Sequence, residues 1–253
     1  GFSQPVSSPH AGSWTKVAFD KEGNVYALAR KRDKPVLLYS DDGGQTFTSY
    51  DIPGSNTHSS FDIEQFSGHN IPQGAPPIVR YTRTEEDEEH FWRRWGNMEL
   101  LIPQKTKHGI EWKDPILISE QCLVVSSHSG IPSSVVSRGS KIHIAWGEAT
   151  DPEKDIPGVP AYVNTYNRET GELEKPVLIG YGAPPNDVHN TPSITMDGHG
   201  HLHVLTGTHG STFKHAHTLE ANNIQGGWTK AKPVGKDLRQ TYIGMVTGPD
   251  NTL

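Results

Sequence analysis

The sequence is short of the residues that make a cross-linked, helical or membrane-spanning protein. It holds one cysteine, Cys122, in 253 residues. That excludes an internal disulfide framework and any Cys-x-x-Cys metal site. No apolar run approaches the roughly 20 residues of a membrane helix, and no window keeps a helical period. Positive charge is in the minority, with 23 Lys and Arg against 29 Asp and Glu and a net charge of −6. No broad basic field therefore invites nucleic acid or an anionic membrane. An anionic ligand would need a local cluster of Arg, Lys or His.

Turn-forming residues are plentiful. The chain carries 26 glycines and 19 prolines and is 33% hydrophobic, a balance that favours many short strands joined by turns. Four stretches share one pattern: a short apolar strand, a polar turn with Gly or Asp, then an alternating strand. They are "WTKVAFDKEGNVYALAR" (14–30), "IPSSVVSRGSKIHIAWGE" (131–148), "TPSITMDGHGHLHVLTGTH" (191–209) and "TYIGMVTGPDNTL" (241–253). A weaker copy, "GAPPIVRYTRT" (74–84), fills the gap after the first, its turn swollen by the acidic run "EEDEE" (85–89), which reads as a solvated loop. Each unit continues into a second hairpin. Four short strands every 50 residues or so, without helices, predict an all-β fold, a β-propeller of four-stranded blades.

About four blades and the start of a fifth are expected, forming a single β-propeller domain over 1–253. The last stretch, "TGPDNTL", falls within what reads as a hairpin, so the domain is expected to be incomplete at the C-terminus. The turn "SDDGGQTF" (40–47) matches the Asp-box of propellers on Ser40, Asp42, Gly44, Thr46 and Phe47. Its chemistry is local: an aspartate accepts turn N–H groups, a glycine takes positive φ, and a phenylalanine plugs the blade. It speaks for fold and names no reaction.

Strand direction then sorts the histidines. The inner strand of a blade runs one way along the axis and the second strand runs back. A residue before the first and one after the second therefore meet on one rim. That rule brings together His189 and His209, five of the fourteen histidines lying within residues 186–211. It also places His69, Asn70, Asn190, His128, Glu148, Arg30 and Tyr242 on the rim, "HNIP" (69–72) echoing "HNTP" (189–192). A ring of His, Asn, Tyr and Arg at a propeller mouth is a surface for acid–base chemistry and carbohydrate binding. His201 with His203, and His215 with His217, alternate along strands, so each pair shares a face. Such pairs can hold a structural zinc ion or simply pack between blades. The spacing matches no ligand motif, so no metal ligand is assigned and no cofactor is required.

The combination "HNTPSITMDGHGHLHVLTGTHG" with "TYIGMVTGPDNTL" resembles the BNR-repeat propellers that include the ulvan lyases. The resemblance is strongest over 186–253 and weaker through "GHNIPQGAPPIVRY". It implies a propeller of usually seven blades and β-elimination at a uronic acid in a sulfated polysaccharide. It further implies catalytic roles for His189, His209 and Tyr242; their rim neighbours Asn190, His128, His69 and Asn70 are the expected substrate-binding residues. The arginine that neutralises the substrate carboxylate in that family follows the tyrosine, on a strand beyond Leu253. The expected partner is an anionic polysaccharide, with no nucleic acid and no membrane span, and the expected location is secreted or periplasmic. A sialidase-like glycoside hydrolase, using Glu148 and Tyr242, and a non-catalytic glycan-binding propeller are the rival readings.

Overall fold

The computed structural model describes residues 16–64, 72–86, 93–123, 133–150, 156–235 and 237–253. Blade one is β1 (Val17–Phe19), β2 (Val25–Lys31), β3 (Lys34–Ser40) and β4 (Thr48–Asp51), hydrogen-bonded in that order. Blade two is β5 (Ser59–Ile63), β6 (Ile78–Glu86), β7 (Arg94–Leu101) and β10 (Ile116–Leu123), with the hairpin β8 (Pro103–Thr106) and β9 (Gly109–Trp112) inserted before its outer strand. Blade three is β11 (Val135–Arg138), β12 (Lys141–Gly147), β13 (Val159–Asn167) and β14 (Val177–Gly182). Blade four is β15 (Ser193–Met196), β16 (Leu202–Thr206), β18 (Lys214–Glu220) and β19 (Asn223–Trp228). Three short strands complete it: β17 (His209–Ser211), β20 (Lys232–Pro233) and β21 (Gln240–Thr241), with β20 on β18 and β21 on β17. The fold is an all-β propeller.

Alternation along the strands explains how the blades stack. Val79 and Tyr81 point one way from β6 to meet Ile142, Ile144 and Trp146 of blade three. Ile78, on the opposite face, joins Tyr26, Leu37 and Tyr39 of blade one. Val204 and Ala216 of blade four pack on Ala145 and Val163 of blade three. Each core is thus a layer between two sheets, the arrangement period-2 patterning dictates. Among the described residues no helix is long and apolar enough to cross a membrane, which says nothing of membrane barrels.

Polar links tie the inner strands together. The buried Lys16 ammonium donates to Asp62 of β5, and Asp62 Oδ2 accepts the Ser134 N–H at 2.5 Å. Ile194 N–H reaches Ser133 O at 2.7 Å, and Thr195 meets Thr247 at 3.1 Å. The Asp-box closes as its chemistry requires. Asp42 accepts the N–H groups of Gln45 and Thr46, both at 2.9 Å, and Gly44 sits at φ +86. The Thr46 and Ser40 contacts hold the Asp42 carboxyl well below the usual carboxylate range. Phe47 packs on Ala27, Val36 and Leu38.

Four expectations change. The innermost strand of blade two is "SSFDI" (59–63), and "GAPPIVRYTRT" belongs to the second strand. A short strand with only two apolar positions, Phe61 and Ile63, gave little pattern to read. "HNIP" therefore falls between β5 and β6 in sequence, while "HNTP" precedes the innermost strand β15, so they do not share a place in the strand order. The acidic run begins inside β6, where Glu86 pairs with Arg94. Residues 243–253 run beside blade four without forming a ladder, because no strand pairs with them among the described residues.

Glu64, just after β5, is fully buried, accepting the Ser137 N–H at 2.5 Å and its hydroxyl at 2.6 Å. Burial pushes its pKa up to about 7, against those hydrogen bonds and the Arg168 charge. The folded state therefore keeps the proton to higher pH than the unfolded chain, and stability falls as pH rises from about 4.5 through about 7. Glu64→Gln imitates the protonated acid. Its stability relative to the wild type should improve by ~3 kcal/mol between pH 4 and pH 8, measured by urea denaturation. A difference that stays flat with pH would refute the burial argument.

Candidate active site

Asp187 caps a single 3-10 turn, Val188–Asn190, and accepts the His189 N–H at 2.8 Å. The same oxygen faces His189 Nδ1 in a short hydrogen bond. An ionised carboxylate can only accept, so Nδ1 carries a proton, and in the neutral ring Nε2 is the nitrogen with the lone pair. Both residues are buried. Sequence reasoning passed over Asp187. Its signal was there, an aspartate two residues before a histidine in a cap position, "DVHN".

Gly207 brings the second strand to this turn. A Cβ there would sit 2.2 Å from the Asn190 carbonyl, so only glycine allows the approach. Two residues on, His209 opens β17, pairs in register with Thr241 of β21, and places Nδ1 2.9 Å from the Thr241 hydroxyl. Tyr242 follows at φ +60, a strained backbone for a bulky side chain, of a kind that gathers at functional sites. The three rings form one cluster. Centroids are 4.4 Å apart for His189 and His209, 5.4 Å for His189 and Tyr242, and 6.1 Å for His209 and Tyr242. His189 is buried at the base while His209 and Tyr242 are exposed above it. Tyr242 reaches the rim from a short strand pairing, not by opening an inner strand.

Other rim positions fare differently. Asn190 is fully buried and its amide N–H donates to the Pro184 carbonyl, tying the side chain to the loop. His69, Asn70 and His128 lie outside the described residues. Glu148 follows β12, accepting from Ser119 Oγ at 3.0 Å and from the Trp146 ring N–H. Thr150, two residues on, donates its backbone N–H to Asn186 Oδ1 at 2.7 Å, which puts Glu148 on the His189 rim. Arg30, at the end of β2 in blade one, lies on the corresponding rim and donates from Nη2 to Ser59 O of blade two at 3.3 Å. Two cations were missed. Arg239 Nε donates to Gly210 O at 3.3 Å, beside His209. Arg83 lies 2.8 Å from His58 Nδ1, just before β5. Neither pairing is visible without the strand register.

Among the described residues two groups of side chains offer converging metal-ligand atoms, each set within 4.8 Å: Asp187, His189 and His209 at the rim, and His203, His215 and His217 on blade four. In the second group burial and neighbouring imidazoles push His203 and His215 below the usual histidine range. The fully buried His143 is a structural residue, held at about 4 by burial and bonded to Thr165 and Asn222. A groove of about 510 Å³ lined by Trp112, Asp114 and Tyr166 lies where β10 begins and β13 ends, the end of the blades away from His189.

No family model matches the chain, and no curated protein does. Solved structures to which it is similar include a Penicillium chrysogenum alpha-L-arabinanase, at 10% identity and TM-score 0.44, covering 83% of this chain and 65% of that one. An endo-arabinase from Bacteroides thetaiotaomicron is similar at 16% identity and TM-score 0.47, covering 92% of this chain and 84% of that one. A xylan beta-1,4-xylosidase from Bacillus halodurans follows at 12% and 0.47, covering 98% and 49%. The chain thus spans less than two thirds of the arabinanase and about half of the xylosidase. These three proteins are named as glycoside-cleaving enzymes, not as lyases. The fold assignment stands on the sheets of this chain itself.

Proposed function

We propose that the His189–His209–Tyr242 rim is the active site of a polysaccharide lyase that cleaves a uronate-containing, sulfated, ulvan-like polymer by β-elimination. The observation that carries this reading is the Asp187-held imidazole of His189 beneath two exposed proton-exchanging rings. The C5 proton beside a uronate carboxylate is weakly acidic until that carboxylate is neutralised. Arg239, beside Gly210, is the cation we assign to that task, with His209 steering the sugar. His189 Nε2 removes the C5 proton, and Tyr242 delivers a proton to the departing C4 oxygen. The C4–O bond breaks and the electron pair of the C5–H bond becomes the new C4=C5 double bond. A polymer of this size meets the enzyme outside the cytoplasm, so we place the protein in a secreted or periplasmic setting.

A glycoside hydrolase is the second reading, favoured by Glu148, a half-buried carboxylate on the same rim as Asp187. Two carboxylates flanking a glycosidic bond would serve general acid and base or nucleophile roles. Against it, Asp187 is committed to His189. Ulvan, a pectic uronan and a neutral arabinan, each incubated with the protein, separate the readings. Ultraviolet absorbance from unsaturated uronate supports the lyase. Reducing ends without that absorbance support the hydrolase, and retention of glycan without cleavage leaves a binding propeller. Arg239→Gln should raise KM on the acidic polymer about tenfold and lower kcat. An unchanged KM would remove Arg239 from the site.

A further inference from the structure

Blade four carries a second constellation, on the face turned away from blade three. Leu202 and Val204 of β16 and Ala216 of β18 pack into the core against blade three. By alternation, His203, His215 and His217 point the other way, toward the side where Thr195 meets Thr247. His203 stands opposite His217 in the β16–β18 ladder, and His215 lies two residues along β18 on the same face. Ring centroids are 5.2 Å apart for His203 and His215, 5.5 Å for His203 and His217, and 5.8 Å for His215 and His217.

Hydrogen bonds orient these rings. His203 Nε2 faces Asp197 Oδ2 at 3.3 Å, and the carboxylate fixes the proton on that nitrogen. His203 Nδ1 therefore carries the lone pair, which accepts from His215 Nε2 at 3.0 Å without a metal and would turn to the ion when one binds. A carboxylate behind one imidazole, with that imidazole's other nitrogen aimed at a shared point, is how zinc-binding histidines are held. His217 Nδ1 lies 3.5 Å from the Thr229 hydroxyl, leaving Nε2 for the cluster. His201 is not a member; its Nδ1 is bonded to Thr218 O at 2.9 Å.

We propose that His203, His215 and His217 bind one zinc ion, with Asp197 as the outer carboxylate and water in the fourth position. Three imidazoles suit zinc and exclude calcium or magnesium, which take oxygen ligands. Tetrahedral bonds of about 2.0–2.1 Å set ligand nitrogens about 3.3 Å apart; the His203–His215 pair, at 3.0 Å, needs to open by only a few tenths of an ångström, and His217 offers a nitrogen within 4.8 Å of both. The ion would staple β16 to β18 and, through Asp197, to the end of β15. This site stands independently of the lyase reading.

The test is equilibrium dialysis of the chelator-treated protein against zinc sulfate, with cobalt(II) as a spectroscopic substitute. We expect one equivalent per chain, visible absorption bands of four-coordinate cobalt, and a rise in Tm with zinc but not with calcium. His215→Gln and His217→Gln should each weaken binding at least 100-fold, and Asp197→Asn about 10- to 100-fold. His209→Gln should leave it unchanged. No stoichiometric uptake overturns the proposal, as does uptake lost in His209→Gln but kept in His215→Gln, which would move the ion to the rim. Should the histidine variants fail to fold, the wild type still decides. Zinc must protect His203, His215 and His217, and not His209, from diethyl pyrocarbonate, and equal labelling of all four sinks the idea.

Discussion

His189→Gln is expected to slow polysaccharide cleavage by roughly 10²–10⁴-fold with little change in Tm, the contribution typical of a positioned general base. Glutamine is the informative replacement. Its amide N–H can still donate to Asp187, so the buried carboxylate keeps a partner, but it offers no basic nitrogen. A residue that merely held the loop would lose nothing comparable. Asp187→Asn supplies the matching control. An amide in that place no longer demands the proton on Nδ1, so the imidazole can present Nε2–H to the substrate instead of a lone pair. Activity should fall although the backbone N–H of His189 keeps an acceptor at residue 187. In both variants kcat should fall far more than KM rises; the limb of the rate–pH profile due to the imidazole should vanish in His189→Gln and move in Asp187→Asn, where the ring is still present. Retention of activity within about threefold in His189→Gln would take His189 out of the chemistry.

The rim was legible because it depends on strand direction, which the turn-and-alternation pattern of blade four states plainly. The segment from Thr191 to Thr206 is one tight hairpin, so its two ends meet whatever the rest of the chain does. The Asp-box was legible for a similar reason, since Ser40 to Phe47 satisfy one another within a single turn. Non-local register was not. Tyr242 reaches His209 through the β17–β21 pairing, and Arg239 reaches Gly210 the same way, across a separation no local pattern encodes. The blade-four histidines show the boundary well. Spacing revealed that His201 and His203, or His215 and His217, share a face. Only the His203↔His217 register separates the three that converge from the one that bonds backbone. Blade two misled for an energetic reason: Asp62 and Glu64, on and just after β5, are charged residues at core positions, kept there by partners from other blades.

Asp62→Leu should be the most damaging core change, costing ~3–5 kcal/mol of stability, because it strands a buried ammonium. Lys16 and Asp62 have side chains only 1% and 3% exposed. Burial pulls the Lys16 pKa down while the Asp62 charge opposes it, so the lysine depends on that carboxylate to stay charged. Leucine also deprives the Ser134 N–H of its acceptor, which adds the cost of an orphaned buried donor. Against a total stability of about 5–15 kcal/mol for a domain, the loss is large enough to leave much of the protein unfolded. The pair need not be stabilising in itself, since desolvation offsets most of its Coulomb attraction. Lys16→Met with Asp62→Asn removes both charges and keeps an oxygen for Ser134. That double variant should recover to within ~1 kcal/mol of the wild type. Urea denaturation of Lys16→Met, Asp62→Asn and the double variant closes the cycle that gives the coupling energy, with Asp62→Leu measured beside them. A double variant as unstable as Asp62→Leu would mean that the inner ring needs the ion pair itself, not just the absence of an unpaired charge.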